Sequence, residues 1–142
     1  MPSLTSRQAR ALGTRRASRP PRVRPEREVV REVLAYLRTI PGVTAWRCNT
    51  GMAMLPGRGG KPMPVRFGVK GMADIVGWKT EAIYVERIGK IHRARFLAIE
   101  CKREGQEPTV LQAQFLQSVQ DAGGIGIVAH GVEDVVKALE RP

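Results

Sequence analysis

The sequence predicts an α/β domain, a sheet with helices packed on its faces, and three observations lead there. Apolar residues recur at helical spacing in three segments: Val29, Val30, Val33, Leu34 and Leu37; Val110, Leu111, Phe115, Leu116 and Val119; and residues 132–139. Strand-like runs lie between these segments, bounded by glycine or proline. The resulting order is α-β-β-β-α-β-α, with no internal repeat.

Each element has a local cause. Pro25 opens the first helix, and Pro41-Gly42 stops it. Residues 44–48 form a short strand. Residues 49–64, rich in Gly, Pro, Met and Lys, are expected to form a loop long enough to suggest function. Val65-Arg66-Phe67 is a short extended piece, and 73–78 is a strand around Ile75-Val76. Segments 82–88 and 91–101 are both strand-like, and Gly89-Lys90 between them suggests a two-residue hairpin turn. The helix over 109–122 is stopped by Gly123-Gly124. Residues 125–129 are a buried strand, and 132–139 a final amphipathic helix.

Composition narrows the function. The 142 residues suit one domain, and a 42% hydrophobic content supports a real core. No apolar run approaches a membrane span, and the N-terminus lacks a secretory stretch. Cys48 and Cys101 read as reduced thiols of a cytoplasmic protein. His92 and His130 are far apart in sequence, which speaks against structural zinc. Gly57-x-Gly59-Gly60 lacks the Lys-Ser/Thr context of a nucleotide-binding loop, so no nucleotide cofactor is expected.

The net charge is +11, and residues 1–25 supply +7 of it through seven arginines without an acid. This predicts a disordered basic arm on a mildly basic domain over 26–142, with nucleic acid as the partner of the arm.

Three acids stand out. Glu100 and Lys102 end an apolar strand and share one face, while Cys101 points to the other. A carboxylate there can hold a divalent cation, and a lysine can orient water or stabilise phosphate charge. Asp74 opens a strand whose next residues are apolar, so it needs a partner. At about 100° per residue, Val29, Val30, Val33 and Leu37 all fall within roughly 60° of Glu26. Glu26 therefore sits on the core-facing stripe, whereas Glu28 and Glu32 fall on the wet side; Glu28 is the fallback should the first turn fray. Oxygen ligands from separate elements suit magnesium or manganese.

Gly71-x-x-Asp74, Glu100-x-Lys102 and a helix carrying Gln112 together resemble the VRR-NUC branch of the PD-(D/E)XK nuclease superfamily, in particular its compact stand-alone phage and prophage members. The likeness runs from about residue 25 to 139. It includes Trp46-Arg47-Cys48-Asn49-Thr50-Gly51, Arg66-Phe67-Gly68, Gln112-Ala113-Gln114-Phe115 and Ala122-Gly123-Gly124. Cys101 departs from the valine frequent in the family.

The resemblance implies a restriction-endonuclease-like core, a central mixed sheet flanked by helices, hydrolysing DNA with metal-activated water. It implies that Asp74, Glu100 and the backbone carbonyl of Cys101 bind Mg2+ or Mn2+, that Glu26 acts through water, that Lys102 positions the attacking water and that Gln112 supports the site. It further implies a homodimer acting on branched DNA in the manner of a Holliday-junction resolvase, in a bacterial host's cytoplasm if phage-encoded. Arg47, Arg58, Lys61, Arg66, Lys70 and Arg103 are the expected phosphate contacts. The competing expectation is a non-catalytic nucleic-acid-binding protein on a degenerate nuclease fold. A sequence-specific restriction enzyme ranks lower, because the chain is short for an added recognition domain.

Overall fold

The computed structural model describes residues 22–140. Of the basic arm expected over 1–25, residues 1–21 lie outside the described part. The elements run α1 (Glu26–Leu37), β1 (Val43–Arg47), β2 (Gly51–Pro56), β3 (Pro62–Phe67), β4 (Ile75–Val85), β5 (Gly89–Cys101), α2 (Val110–Asp121), β6 (Ile125–Ala129) and α3 (Val132–Leu139). The main sheet has the order β1-β4-β5-β6 and is mixed: β1/β4 and β4/β5 are antiparallel, and β5/β6 is parallel. Helices flank it on both faces. Among the described residues no helix is long and apolar enough to cross a membrane.

Alternation along β5 sorts its side chains. Leu97, Ile99 and Cys101 face Val29, Val30, Val33 and Leu37 of α1 and Val135 and Leu139 of α3, in one core with Ile75, Ile125, Ile127 and Ala129. Ala98 faces the other way and packs with Leu116 and Val119 of α2. Of the five apolar positions predicted to line α1, Val29, Val30, Val33 and Leu37 are buried and Leu34 is partly buried. Beyond the reach of α2, that second face leaves Trp46, Trp78 and Phe96 partly exposed, the two indoles edge to face at 5.6 Å.

α2 is fixed at both ends by its own sequence. The Thr109 hydroxyl accepts from Gln112 N while Gln112 Oε1 accepts from Thr109 N, which closes a capping box. At the other end Gly123 takes φ +83°, its N–H reaches Gln120 O at 2.9 Å, and Gly124 N reaches Val119 O at 2.8 Å. This is a Schellman stop, and it needs glycine at the left-handed position.

Three expectations are corrected. Residues 49–64 are not a loop: together with the next residues they form the β2–β3 hairpin, a separate two-stranded sheet with a 3-10 turn at Arg58–Gly60. The expected strands over 73–78 and 82–88 are one continuous strand, β4. The turn after it is not Gly89-Lys90, because Val85 pairs with Gly89 and Tyr84 with Lys90. Glu86, Arg87 and Ile88 make the turn instead, with Arg87 at φ +67°.

Where β1 crosses β4, Gly77 leaves no room for a side chain. A Cβ there would lie 2.0 Å from Thr44 O and 2.7 Å from Ala45 Cα. Gly77→Ala must push β1 off the sheet, and it is expected to lower the unfolding free energy by about 2–3 kcal/mol in urea denaturation, in the manner of an overpacked core. A loss under half a kilocalorie would mean that β1 is not held this tightly.

Candidate active site

The C-terminal end of β5, the start of β4 and the start of α1 meet at one corner of the sheet. Glu100 and Lys102 are the two charged residues buried there, Glu100 with no exposed surface. Strand alternation puts both on the face opposite Cys101, as the sequence predicts, and Cys101 lies in the α1/α3 core. Lys102 Nζ donates to Glu100 Oε1 at 2.6 Å, and Glu26 Oε2 lies 3.8 Å from the same ammonium. Glu26 therefore reaches Lys102 from the first turn of α1, although its side chain stays 43% exposed. Glu28, less exposed at 25%, pairs with Arg22 instead.

Asp74 is tied to the same place through backbone. Its Oδ2 accepts from Cys101 N at 3.0 Å, and its carbonyl accepts from Cys48 N at 2.7 Å. The first bond docks the Asp74 carboxylate on the strand bond between Glu100 and Lys102. Acids some 26 and 48 residues apart in sequence thus share one neighbourhood.

Burial raises the pKa of Asp74, and the negative charge of Glu26 adds to it, against the Cys101 amide and the charges of Lys102 and Arg47. Burial also raises Glu100, and the charges of Asp74 and Glu26 reinforce the effect against the Lys102 hydrogen bond. For Lys102, burial disfavours the ammonium, but its hydrogen bond to Glu100 and the charges of the three acids outweigh it and raise its pKa. Burial, with Asp74 and Glu100 nearby, pushes the Cys101 thiol up as well, so it stays protonated and inert.

Do these residues fit a divalent cation? Glu100 Oε2 is a buried acceptor with no hydrogen-bond donor. A buried carboxylate oxygen left bare is costly unless something positive reaches it. The donors nearby are carboxylate and backbone oxygens, which suit a hard cation. No group of three or more His, Cys, Asp or Glu side chains stands ready to ligate a metal among the described residues. A cation here would draw on Asp74, Glu100 and backbone, with Glu26 more distant.

The other expected site residues are placed as follows. Gln112 makes no hydrogen bond to the acids; its amide oxygen accepts from Thr109 N and Oγ1. Its helix turn is nonetheless close to the Asp74 loop, because Gly71, at φ +83°, lies against Leu111, and a Cβ there would sit 2.8 Å from Leu111 Cβ. Arg47 is exposed at the end of β1, near enough to Asp74 to lower its pKa. Arg103 is exposed directly after Lys102. Arg66 and Lys70 line a cavity of about 130 Å³ with Thr50 and Phe67, next to Gly71. Arg58 and Lys61 are exposed at the hairpin tip, at its far end. Thr50 and Phe67 were not foreseen as cavity residues; the recurrence of glycine at 51, 68 and 71 is the signal that marks the close packing around them.

Comparison with protein-family models, curated proteins and solved structures finds no match.

The raised carboxylates have a pH signature. The native state holds the Asp74 and Glu100 protons more tightly than the unfolded chain does. Their contribution to stability is therefore complete below the ordinary carboxylate values of 3.8 and 4.5, and is lost as pH rises through the raised native values. Urea unfolding in EDTA, repeated across this window, is expected to show a falling trend for the wild type that Asp74→Asn flattens, because the amide neither ionises nor repels Glu100. An identical slope in both proteins would remove these carboxyls as its source.

Proposed function

We propose that this chain is a divalent-metal-dependent deoxyribonuclease on a PD-(D/E)XK-type core, selective for branched DNA. The observation that carries the reading is the buried, donorless Glu100 Oε2 beside Asp74 and the Lys102 ammonium. In a chain of net charge +11, three acids gathered at one corner are ill suited to meeting DNA unaided. A cation between carboxylate and phosphate resolves that conflict.

In this reading Asp74, Glu100 and the backbone carbonyl of Cys101 hold Mg2+ or Mn2+, and Glu26 joins through water. The ion would lower the pKa of water and neutralise phosphate charge when bound. The rest falls to the chain. The Cys101 amide holds the Asp74 carboxylate in place, so that little reorganisation accompanies binding. Lys102 engages one oxygen of Glu100 and leaves the other free, while its remaining N–H groups can reach a water or a phosphate oxygen. Glu26 lies within charge range of Lys102 and helps keep it an ammonium. Arg47 and Arg103 border the corner and can screen flanking phosphates. Gln112 caps the α2 start through Thr109, and Leu111 of the same turn lies against Gly71 of the Asp74 loop. Paired copies of the chain would present two such corners to opposite strands of a branched substrate.

A nicking assay on four-way and flapped DNA with Mn2+ tests this. Wild type is expected to cleave, and Asp74→Ala and Lys102→Ala to lose about 100-fold or more in rate while keeping a native circular-dichroism spectrum. Equal cleavage by all three would remove the site. Tight DNA binding with no cleavage by any would leave the non-catalytic reading.

A further inference from the structure

The β2–β3 hairpin belongs to no core. It forms its own two-stranded sheet, and among the described residues no helix or other strand packs extensively on it. Such a hairpin is marginally stable alone. Apart from Arg66, its strand side chains are apolar on both faces, and Met52, Met54, Leu55 and Met63 are each about half exposed or more. Among the described residues no other element covers them.

Charge points to what would cover them. Residues 49–73 carry Arg58, Lys61, Arg66 and Lys70 and not one acid. Two of these are at the tip and two at the root. The tip is a turn in which Gly59 and Gly60 both take positive φ, with open space around them, so its shape serves projection rather than packing.

Hydrogen bonding disfavours another strand along β3. Gly57 N reaches Lys61 O at 2.9 Å, so the next pair, Pro56 with Pro62, is the non-hydrogen-bonded kind, and Met54 with Pro64 repeats it. At those positions the N–H would point outward, and proline has none. The β3 edge is thus closed to sheet extension by a second copy.

Dimensions agree with a nucleic-acid duplex. Two strands about 4.8 Å apart with their side chains match a major groove about 12 Å wide, and are too broad for a minor groove of about 6 Å. The root sits beside the candidate active site. Gly68, at φ +73°, packs on Asn49 and Thr50, and the cavity lined by Arg66 and Lys70 extends to Gly71, three residues from Asp74.

We infer that the β2–β3 hairpin is a DNA-engaging arm, a ribbon laid in the major groove with Arg58 and Lys61 on phosphates and Met52 and Met54 toward base edges. The inference rests on the nuclease reading only for the purpose of the arm, which is to set the register of the duplex over Asp74 and Glu100.

The full chain is tested in EDTA by fluorescence anisotropy on duplex DNA across a salt series. Arg58→Ala/Lys61→Ala is expected to weaken binding about tenfold at low salt and to lower the salt slope by about two. Met52→Ser/Met54→Ser is expected to weaken binding by one factor at every salt concentration, since apolar contacts release no counterions. Wild type should also protect guanine N7 from methylation, and both variants should lose that protection. Unchanged affinity and slope in the charge variant, or absence of N7 protection in wild type, overturns the arm. So does sedimentation showing that the methionine variant turns a dimer into a monomer, since a second copy is then the occupant. Cleavage is not part of these readouts: arm-dependent binding by a chain that never nicks DNA would sink the nuclease reading and leave the arm standing.

Discussion

The corner of this molecule is organised by one ammonium. Lys102 Nζ is nearly buried, donates to Glu100 at 2.6 Å and has Glu26 at 3.8 Å. Remove its charge and a carboxylate with no exposed surface would be left in a dry place without a cation, which proteins avoid by protonation or unfolding. The pair also fixes chain geometry. Residues two apart on a strand share a face, so Glu100 and Lys102 meet only if β5 remains extended to its end. Cys101 between them then goes into the α1/α3 core, and its amide is directed at Asp74. One ion pair, one buried thiol and one backbone donor are therefore a single arrangement.

Glycines carry the same constraint outward. The start of α2 can lie on the Asp74 loop because Gly71 has no side chain to meet Leu111. The hairpin root can close on Asn49 and Thr50 because Gly68 has none to meet them. A methyl group at either place would force apart segments that border the acids. These residues hold no ligand; they set the distance between the groups that would.

Much of this was legible from the residues. The wheel position of Glu26 among Val29, Val30, Val33 and Leu37 points it toward the core side, and it comes within 3.8 Å of Lys102 while staying more exposed than Glu28, which turns to Arg22. Alternation separates Cys101 from its neighbours correctly. Gln112 was legible in a different role, since Thr109-x-x-Gln112 is a capping-box pattern, and its oxygen is used there. The hairpin was hidden because Pro56, Pro62 and Pro64 resemble loop residues, and only the pairing register shows that they occupy outward positions where no N–H is needed. The β4–β5 turn was misplaced for a related reason: Gly89 does take a left-handed φ of +91°, yet it already pairs with Val85, and the bend is made by Glu86, Arg87 and Ile88, with Arg87 at φ +67°, which composition does not flag. No sequence rule gives the contact between Asp74 and the Cys101 amide, because it depends on β4 and β5 being in register from Ile75 and Ile99 outward.

The electrostatics are the physical ground on which we propose chemistry rather than simple binding. A surface that only coats DNA gains nothing from a buried carboxylate, because phosphate approaching Glu100 meets repulsion that low dielectric strengthens. Here three acids face one lysine, with Arg47 at the margin, inside a chain of net charge +11. The corner is locally negative on a globally positive protein. On the proposed nuclease reading, the wider field would draw DNA in, while the corner would repel it unless a divalent cation joined them. Both raised carboxyl pKa values express that same unmet demand for positive charge, and the donorless oxygen of Glu100 is where it is concentrated. On that reading, a site unfavourable without a cation and favourable with one would couple metal binding to DNA binding, the coupling that the proposed hydrolysis requires.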